Sequence, residues 1–174
     1  MPAAKSVPSL LALGAAAALL TACETVPVGG GFGPAPGGPA PFRPDDFAWS
    51  ARPGRAVIDG RVDYRRDGQR YDCTGSVALT PDTPYTRARF RTLYGATDRA
   101  AVPEAVVRAR TVPDPNADYR SFVRTETCRD NRFEFTGLPS GGWFIIAPVS
   151  AGGDDRIVLM RHVDTRNGRV SVTL

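Results

Sequence analysis

Histidine is the first residue type to test for chemistry in this sequence. His162 is the only histidine among the 174 residues, and it stands beside Arg161 near the end of a predicted strand. A catalytic histidine needs a nucleophile or a substrate proton within reach and a group that orients the ring. A zinc site needs several ligands at short spacings, and two cysteines with one distant histidine do not supply them. We therefore expect no catalytic histidine, no metal and no cofactor.

Carboxylates leave one enzymatic alternative open, because the chain holds 18 acidic residues. Two facing carboxylates can cleave a glycosidic bond. Asp114, Asp118, Asp154 and Asp155 lie in predicted loops and could assemble such a site. Asp154-Asp155 follows two glycines, however, a pattern that is typical of a turn. The alternative function is thus an envelope hydrolase with a carboxylate site built from loops.

The N-terminal segment, Met1 to Ala22, has the layout of a signal peptide. It carries one cation, Lys5, followed by a run of leucine and alanine from Leu10 to Leu20. This run is too short for a transmembrane helix and is followed at once by small residues. We therefore expect the segment to direct export and to be removed.

Cys23 is the first of three cysteines and directly follows this segment. Leu20-Thr21-Ala22-Cys23 resembles the lipobox of bacterial lipoproteins. The resemblance implies cleavage before Cys23, diacylation of its thiol and acylation of its new amine, and several acyl chains make a stable anchor. Glu24 stands where inner-membrane lipoproteins usually carry Asp, which favours the outer membrane. The alternative is an ordinary secretory signal with an incidental cysteine.

Cys73 and Cys128 remain when Cys23 is lipidated. Two cysteines left over in an exported chain suggest a disulfide. Such a bridge would close a loop of about 55 residues and stabilise the fold by about 4 kcal/mol in the chain-entropy model. The alternative is a pair of buried free thiols.

Residues 23–46 hold the lipidated cysteine and a tether, and residues 47–174 hold one domain. Glu24 to Asp46 is rich in glycine and proline, as in Gly29-Gly30-Gly31, and cannot bury a core. The formal net charge of the chain is only +4. No dense basic patch, phosphate loop, nucleotide fingerprint or RNA-binding motif is present, so we expect no nucleic-acid partner.

Short strands separated by turns fill the domain, which predicts a β-sandwich. Strands are predicted over residues 56–64, 71–79, 105–109, 119–128, 157–160 and 170–174. Asp67-Gly68 and Asn167-Gly168 are two-residue hairpin signals. The region 95–118 is otherwise poorly periodic.

Arg132 to Ala147 has the strongest strand signal. Phe133 and Phe135 alternate with Glu134, which is strand period. Glycine, proline and serine between residues 137 and 142 then break the run. The next residues, Trp-Phe-Ile-Ile at 143–146, are aromatic and β-branched. We predict that the two strands pair as a hairpin at the centre of the domain.

The segment 81–94 has two interpretations. Thr83 fits the N-cap and Pro84 the first position of a helix. Arginines at positions 87, 89 and 91 instead alternate with Ala88, Phe90 and Thr92 at strand period. The cap favours a short helix. We expect the three arginines to form a solvated surface rather than an anion site.

Residues 60–174 resemble the bacterial carboxypeptidase-regulatory-like domains, which are prealbumin-like β-sandwiches. The resemblance rests on Gly60-Arg61-Val62, on 77–81 with Thr83-Pro84-Tyr85, and on 133–141, where Phe-x-Phe precedes a Leu-Pro-x-Gly turn. Leu93-Tyr94-Gly95 resembles the end of a helical insertion in a lipoprotein-like branch. The resemblance implies a mainly β, Ig- or prealbumin-like sandwich with one short helical insertion and no catalytic residues of its own.

One position departs from the family pattern. The turn before the Phe pair usually carries Asp followed by Gly, and here it holds Asp130-Asn131. Asparagine tolerates the left-handed conformation that glycine supplies, so we expect the turn to form.

The sequence thus predicts a non-enzymatic, lipid-anchored protein of the cell envelope, at the outer membrane. Its sandwich would act as an interaction or structural module, with loops or an exposed sheet edge binding an envelope protein, glycan or other polymer. The expected partners are the membrane, through the anchor, and this unidentified envelope component.

Overall fold

Two β-sheets pack face to face in this protein, whose computed structural model describes residues 40–112, 116–166 and 168–174. These residues are mainly β, with a few short helices, so the predicted fold class is confirmed. The predicted signal peptide, Cys23 and most of the tether lie outside the described residues.

The strands follow one another in the order β1 (Ala56–Arg61), β2 (Tyr64–Arg66), β3 (Gln69–Cys73), β4 (Ser76–Pro81), β5 (Arg99–Pro103), β6 (Arg124–Thr127), β7 (Arg132–Leu138), β8 (Gly141–Gly152), β9 (Asp155–Thr165) and β10 (Arg169–Thr173). The helices are α1 (Pro44–Phe47), α2 (Pro84–Tyr94) and α3 (Glu104–Ala109). Two 3₁₀ helices span Ala48–Ala51 and Asp118–Phe122.

The small sheet has the order β10-β1-β7, with β1 parallel to β10 and antiparallel to β7. Gly60 of β1 faces Phe133 of β7, and the phenylalanine ring fills the space where a side chain would stand. The large sheet is built on β8, which pairs with β3 and β4 along one edge and with β9 along the other. β2 and β6 extend it beyond β3 and β4, and β5 extends it beyond β9.

The main core lies between the sheets. Phe133, Phe135 and Ile58 of the small sheet meet Trp143 and Ile145 of the large one, and all five are almost completely buried. We call the side of the large sheet that contacts this core its inner face. The outer face carries α2, whose Phe90 packs with Phe144 and Met160 in a second apolar cluster.

The predicted hairpin over Arg132–Ala147 is wrong. Both strands exist, but β7 pairs with β1, and β8 pairs with β3, β4 and β9. The Pro139-Ser140 connection therefore crosses from one sheet to the other. This crossing places the two aromatic strands face to face across the core, where both bury their side chains. The Thr165 hydroxyl donates to the Pro139 carbonyl at 2.9 Å and accepts from the Gly141 N–H at 3.2 Å.

The hairpin predicted from the second signal, Asn167-Gly168, is also wrong. Asn167 is outside the described residues, but β9 belongs to the large sheet and β10 pairs with β1 in the small sheet. The first signal is confirmed, because Asp67 and Gly68, both at positive φ, join the antiparallel strands β2 and β3. The predicted strand over 71–79 is interrupted at Thr74-Gly75, and both of its parts, β3 and β4, pair with β8.

The region 95–128 differs most from its prediction. Residues 99–103 form β5, which the sequence did not indicate. The predicted strand over 105–109 is helix α3, where Glu104 and Arg108 form an ion pair one turn apart. The first half of the predicted strand over 119–128 is the 3₁₀ helix Asp118–Phe122, and only Arg124–Thr127 is extended.

Ordered structure also begins earlier than the predicted domain start at residue 47. The Phe42 ring lies 5.3 Å from that of Phe47 and 5.6 Å from that of Tyr85, as measured between ring centroids. Helix α1 begins at Pro44, within the range assigned to the tether. Phe42 thus packs the last residues of this glycine- and proline-rich segment against the domain.

Candidate binding groove

A groove crosses the outer face of the large sheet between α2 and the 3₁₀ helix Asp118–Phe122. We call it the α2 groove; its volume is about 390 Å³. Its floor comes from β4, β6 and β8, whose outward residues include Ala78, Thr125 and Ile146 in direct register. Its walls hold two tyrosines, Tyr94 and Tyr119.

Helix α2 forms one wall because its first turn is fixed by a capping box. The Thr86 N–H donates to the Thr83 hydroxyl at 3.2 Å, and the Thr83 N–H donates to the Thr86 hydroxyl at 2.9 Å. The prediction of a helix with Thr83 as its cap is confirmed. The helix ends at Gly95, whose φ of 78° is left-handed, which is a common helix stop. Tyr94 therefore occupies the last helical position, above the sheet.

Tyr94 is held in a largely apolar site. Its ring lies 5.4 Å from that of Phe90, which packs edge-on against Phe144. Burial raises the pKa of Tyr94 to about 12, the negative charge of an ionised Tyr119 adds to this, and the nearby Arg89 opposes it. The hydroxyl consequently stays protonated even at pH 10, the ordinary pKa of tyrosine, and can donate a hydrogen bond.

Tyr119 forms the opposite wall and is stacked on a cation. The Arg89 guanidinium lies 4.7 Å from the centre of the Tyr119 ring, a cation–π geometry. The Nε and Nη1 atoms of Arg89 are buried and have no hydrogen-bond partner among the described residues. Burying such donors without partners costs free energy. In the sequence, Arg89 was notable only as one of three alternating arginines, and nothing there predicted its stacking on Tyr119.

The three arginines separate on the helix, as expected for helical spacing. Arg87 pairs with Asp82, Arg89 stacks on Tyr119, and the exposed Arg91 has no ion pair among the described residues. They form no cationic stripe. Of the three, Arg89 has the most distinctive environment, and it lies beside the α2 groove.

His162 lies in β9, where its side chain makes contacts that hold the fold together. Its Nε2 lies 2.8 Å from Oδ2 of Asp82, and Arg87 binds the same oxygen. The ring packs against Phe144, with 5.0 Å between centroids. Nucleophilic catalysis would need a hydroxyl or thiol beside this ring, and no contact found for His162 in the described ranges is of that kind. The histidine thus joins β9 to the segment that precedes α2.

The described carboxylates proposed for a hydrolase, Asp118, Asp154 and Asp155, do not assemble into one site. Asp114 lies outside the described residues. Asp118 precedes the start of β6, near the Leu79 end of β4, whereas Asp155 starts β9, beyond the opposite end of the β4–β8 pairing. The Asp155 carboxylate accepts a 2.5 Å hydrogen bond from the Tyr71 hydroxyl, and Asp154 stands in the adjoining turn. Asp118 and Asp155 therefore cannot act on one bond.

The α2 groove offers groups that are suited to binding a ligand. The residues that line it include no carboxylate, histidine or cysteine. They offer aromatic rings, the hydroxyls of Thr80 and Thr125, and the guanidinium of Arg120. No cluster of metal-ligand residues occurs in the described part of the chain. Within the same ranges, no helix is long and apolar enough to cross a membrane.

Cys73 and Cys128 form a disulfide, as predicted, with 6.2 Å between their Cα atoms. The bond joins the end of β3 to the residue that follows β6. Around it, the Cys73 N–H donates to Oδ1 of Asn131 at 2.7 Å. Asp130 and Asn131 adopt φ values of 50° and 59°, so the asparagine takes the left-handed conformation expected of it.

Comparisons with solved structures give a distant similarity. No family model matches the chain, and no curated protein matches it. A solved structure that is similar to it is that of a Pseudomonas aeruginosa protein proposed to bind carbohydrate, with 22% identity and a TM-score of 0.48. The similarity covers 76% of this chain and 97% of that one. It is too distant to bear on function.

Proposed function

We propose that this protein is a non-enzymatic, lipid-anchored module of the cell envelope that binds an envelope glycan in the α2 groove. The observation that carries the proposal is the pair of tyrosines, Tyr94 and Tyr119, on opposite walls of a groove whose lining holds no carboxylate, histidine or cysteine. The sandwich is proposed to be of the carboxypeptidase-regulatory-like type, on the motifs at 60–62, 77–85 and 133–141.

The chemistry of the groove matches that of a sugar ring. A pyranose has apolar C–H faces, which pack on aromatic rings, and hydroxyls, which need hydrogen-bond partners around its edge. Tyr119 and Tyr94 supply rings, and Thr80, Thr125 and Arg120 supply polar groups around an apolar floor. A volume of about 390 Å³ lies within the range of small-ligand sites.

The anchor is proposed from the sequence. Leu20-Thr21-Ala22-Cys23 has the pattern that precedes lipidation, and the glycine- and proline-rich stretch after it gives reach without a core. Such a tether would hold the domain away from the membrane, within reach of an envelope polymer. Glu24 favours the outer membrane as the site of the anchor.

The groove is tested by glycan binding of the purified full chain. We expect co-sedimentation with insoluble peptidoglycan or binding to soluble neutral oligosaccharides, measured by calorimetry. Tyr119→Ala should weaken binding about tenfold, which corresponds to about 1.4 kcal/mol. Val106→Ala is the matched control, because Val106 is 39% exposed on α3 and does not line the groove. Equal binding by Tyr119→Ala, or no binding of any envelope glycan, would contradict the proposal.

The anchor is tested separately. Cys23→Ser should abolish lipidation and release the chain from the membrane fraction or leave it as an uncleaved precursor. Radiolabelled palmitate should be incorporated into the wild-type chain and not into the variant. Normal processing and unchanged membrane fractionation of the variant would contradict the anchor without affecting the groove.

A further inference from the structure

A second concavity opens between the two sheets, on the side where β5 and β10 are their edge strands. We call it the inter-sheet cleft; its volume is about 390 Å³. The lining residues that matter here are Arg99, Arg161, Ala101, Leu159, Tyr64 and Thr173. The large sheet extends past the small one at this side, so the inner face of β5 stays uncovered and Ala101 is exposed.

Arg99 and Arg161 stand directly opposite each other on β5 and β9. Residues in direct register on neighbouring strands point to the same face of a sheet. Arg161 is also in register with Ile145, a core residue, so both arginines lie on the inner face. Two like charges in this position destabilise a sheet, and Arg161 is only partly exposed to the water that would screen them.

Neither Arg99 nor Arg161 forms an ion pair within the described residues. The arginine ion pairs there belong to other side chains: Arg61, Arg66, Arg70, Arg87, Arg108, Arg156 and Arg169. None of these arginines lines the inter-sheet cleft. The cleft therefore combines two guanidinium groups that form no ion pair in the described residues with a buried apolar surface, because Leu159 is only 4% exposed.

We infer that the inter-sheet cleft binds a small amphipathic anion. The oxyanion group, a carboxylate or a phosphate, lies between the guanidinium groups of Arg99 and Arg161, which are suited to paired hydrogen bonds with such oxygens. The apolar body of the ligand packs on Leu159 and Ala101. The hydroxyls of Tyr64 and Thr173 supply further polar partners at the rim.

This inference does not rest on glycan binding. The α2 groove is on the outer face of the large sheet, and the inter-sheet cleft is on its inner face. The two sites share none of their lining residues. Either can be correct when the other is wrong.

The test is calorimetric titration of the full chain with benzoate and with phenyl phosphate, with benzamide as the neutral analogue. We expect one of the two anions to bind with a dissociation constant of about 1 mM or lower and benzamide not to bind. The anion that binds identifies the oxyanion group. Arg161→Gln and Arg99→Gln should each weaken binding about tenfold, because each loses a charge-assisted pair of hydrogen bonds. Arg91→Gln, which changes an exposed arginine on α2, should bind as the wild type does.

A thermal readout separates binding from folding. If the two arginines repel each other, removing either charge should leave Tm unchanged or raise it while binding falls. Arg99 is exposed on an edge strand, so Arg99→Gln is expected to fold even if Arg161→Gln does not. Equal binding of benzamide and the anions, or unchanged anion binding by Arg99→Gln, would overturn the inference.

Discussion

The disulfide between Cys73 and Cys128 should carry a large part of the stability of this domain. Its two cysteines are 55 residues apart in sequence. In the chain-entropy model a loop of this length reduces the entropy of the unfolded chain by an amount worth about 4 kcal/mol at 25 °C. Domains of this size are stable by about 5–15 kcal/mol in total, so the loss would be severe.

The folded state should survive the loss of the bond. β4 and β6, which lead away from the two cysteines, pair over four residues from Ser76↔Thr127 to Leu79↔Arg124. The Cys128 N–H also donates to the Gly75 carbonyl at 3.0 Å. These contacts hold the two segments together without the covalent bond. The effect should therefore appear as a lower unfolding free energy with an unchanged native fold.

Urea denaturation of the full chain measures this effect. The fully buried Trp143 provides a fluorescence signal. With a slope of about 2 kcal/mol per M, the midpoint should fall by about 2 M when dithiothreitol is added. The Cys73→Ser/Cys128→Ser double variant should show the same low midpoint and no response to dithiothreitol. A shift worth less than about 1 kcal/mol in both experiments would refute the unfolded-state account.

Three further perturbations have defined outcomes. Gly60→Ala would place its Cβ 2.0 Å from Cζ of Phe133, so the unfolding free energy should fall by about 1–3 kcal/mol or more in urea denaturation. Thr83→Ala removes the cap of α2 and its bond to Thr86, and should cost about 1–2 kcal/mol with a loss of helical circular dichroism. Tyr94 should ionise near pH 12 in ultraviolet titration, about two units above the ordinary value of 10. Because the pKa of Tyr94 is higher in the folded than in the unfolded chain, its contribution of about 2–3 kcal/mol to the unfolding free energy is complete below pH 10 and is lost between pH 10 and 12.

Local chemistry allowed many elements to be predicted from the sequence. Thr83 marks the start of a helix because its side chain can bond the first turn, and Pro84 does so because its fixed φ suits the first helical position. Asp67-Gly68 marks a tight turn because both residues take positive φ. β7 and β9 were predicted from strand alternation and from a run of apolar residues. Each of these signals depends on neighbours a few residues apart.

The choice of strand partners could not be predicted in this way. Phe133 pairs with Gly60, more than 70 residues away, and β10 pairs with β1, which begins the domain. Alternation shows that a strand has a buried face but does not show which sheet contains it. The two hairpins predicted at 132–147 and around Gly168 are wrong for this reason. A short connection was taken as a sign of pairing, although it can equally join two sheets that pack against each other.

The residues of the two proposed sites were harder still to predict, because they depart from the rules that make a sequence easy to interpret. Arg89 is buried with two unpaired nitrogens, and Arg99 and Arg161 place like charges side by side. A leucine at these positions would relieve both costs, so stability alone does not account for the arginines. Arg89 stacks on Tyr119 in the wall of the α2 groove, and the other two line the inter-sheet cleft. Departures of this kind tend to occur where a protein binds something, so the two concavities are the places where a ligand should be sought first.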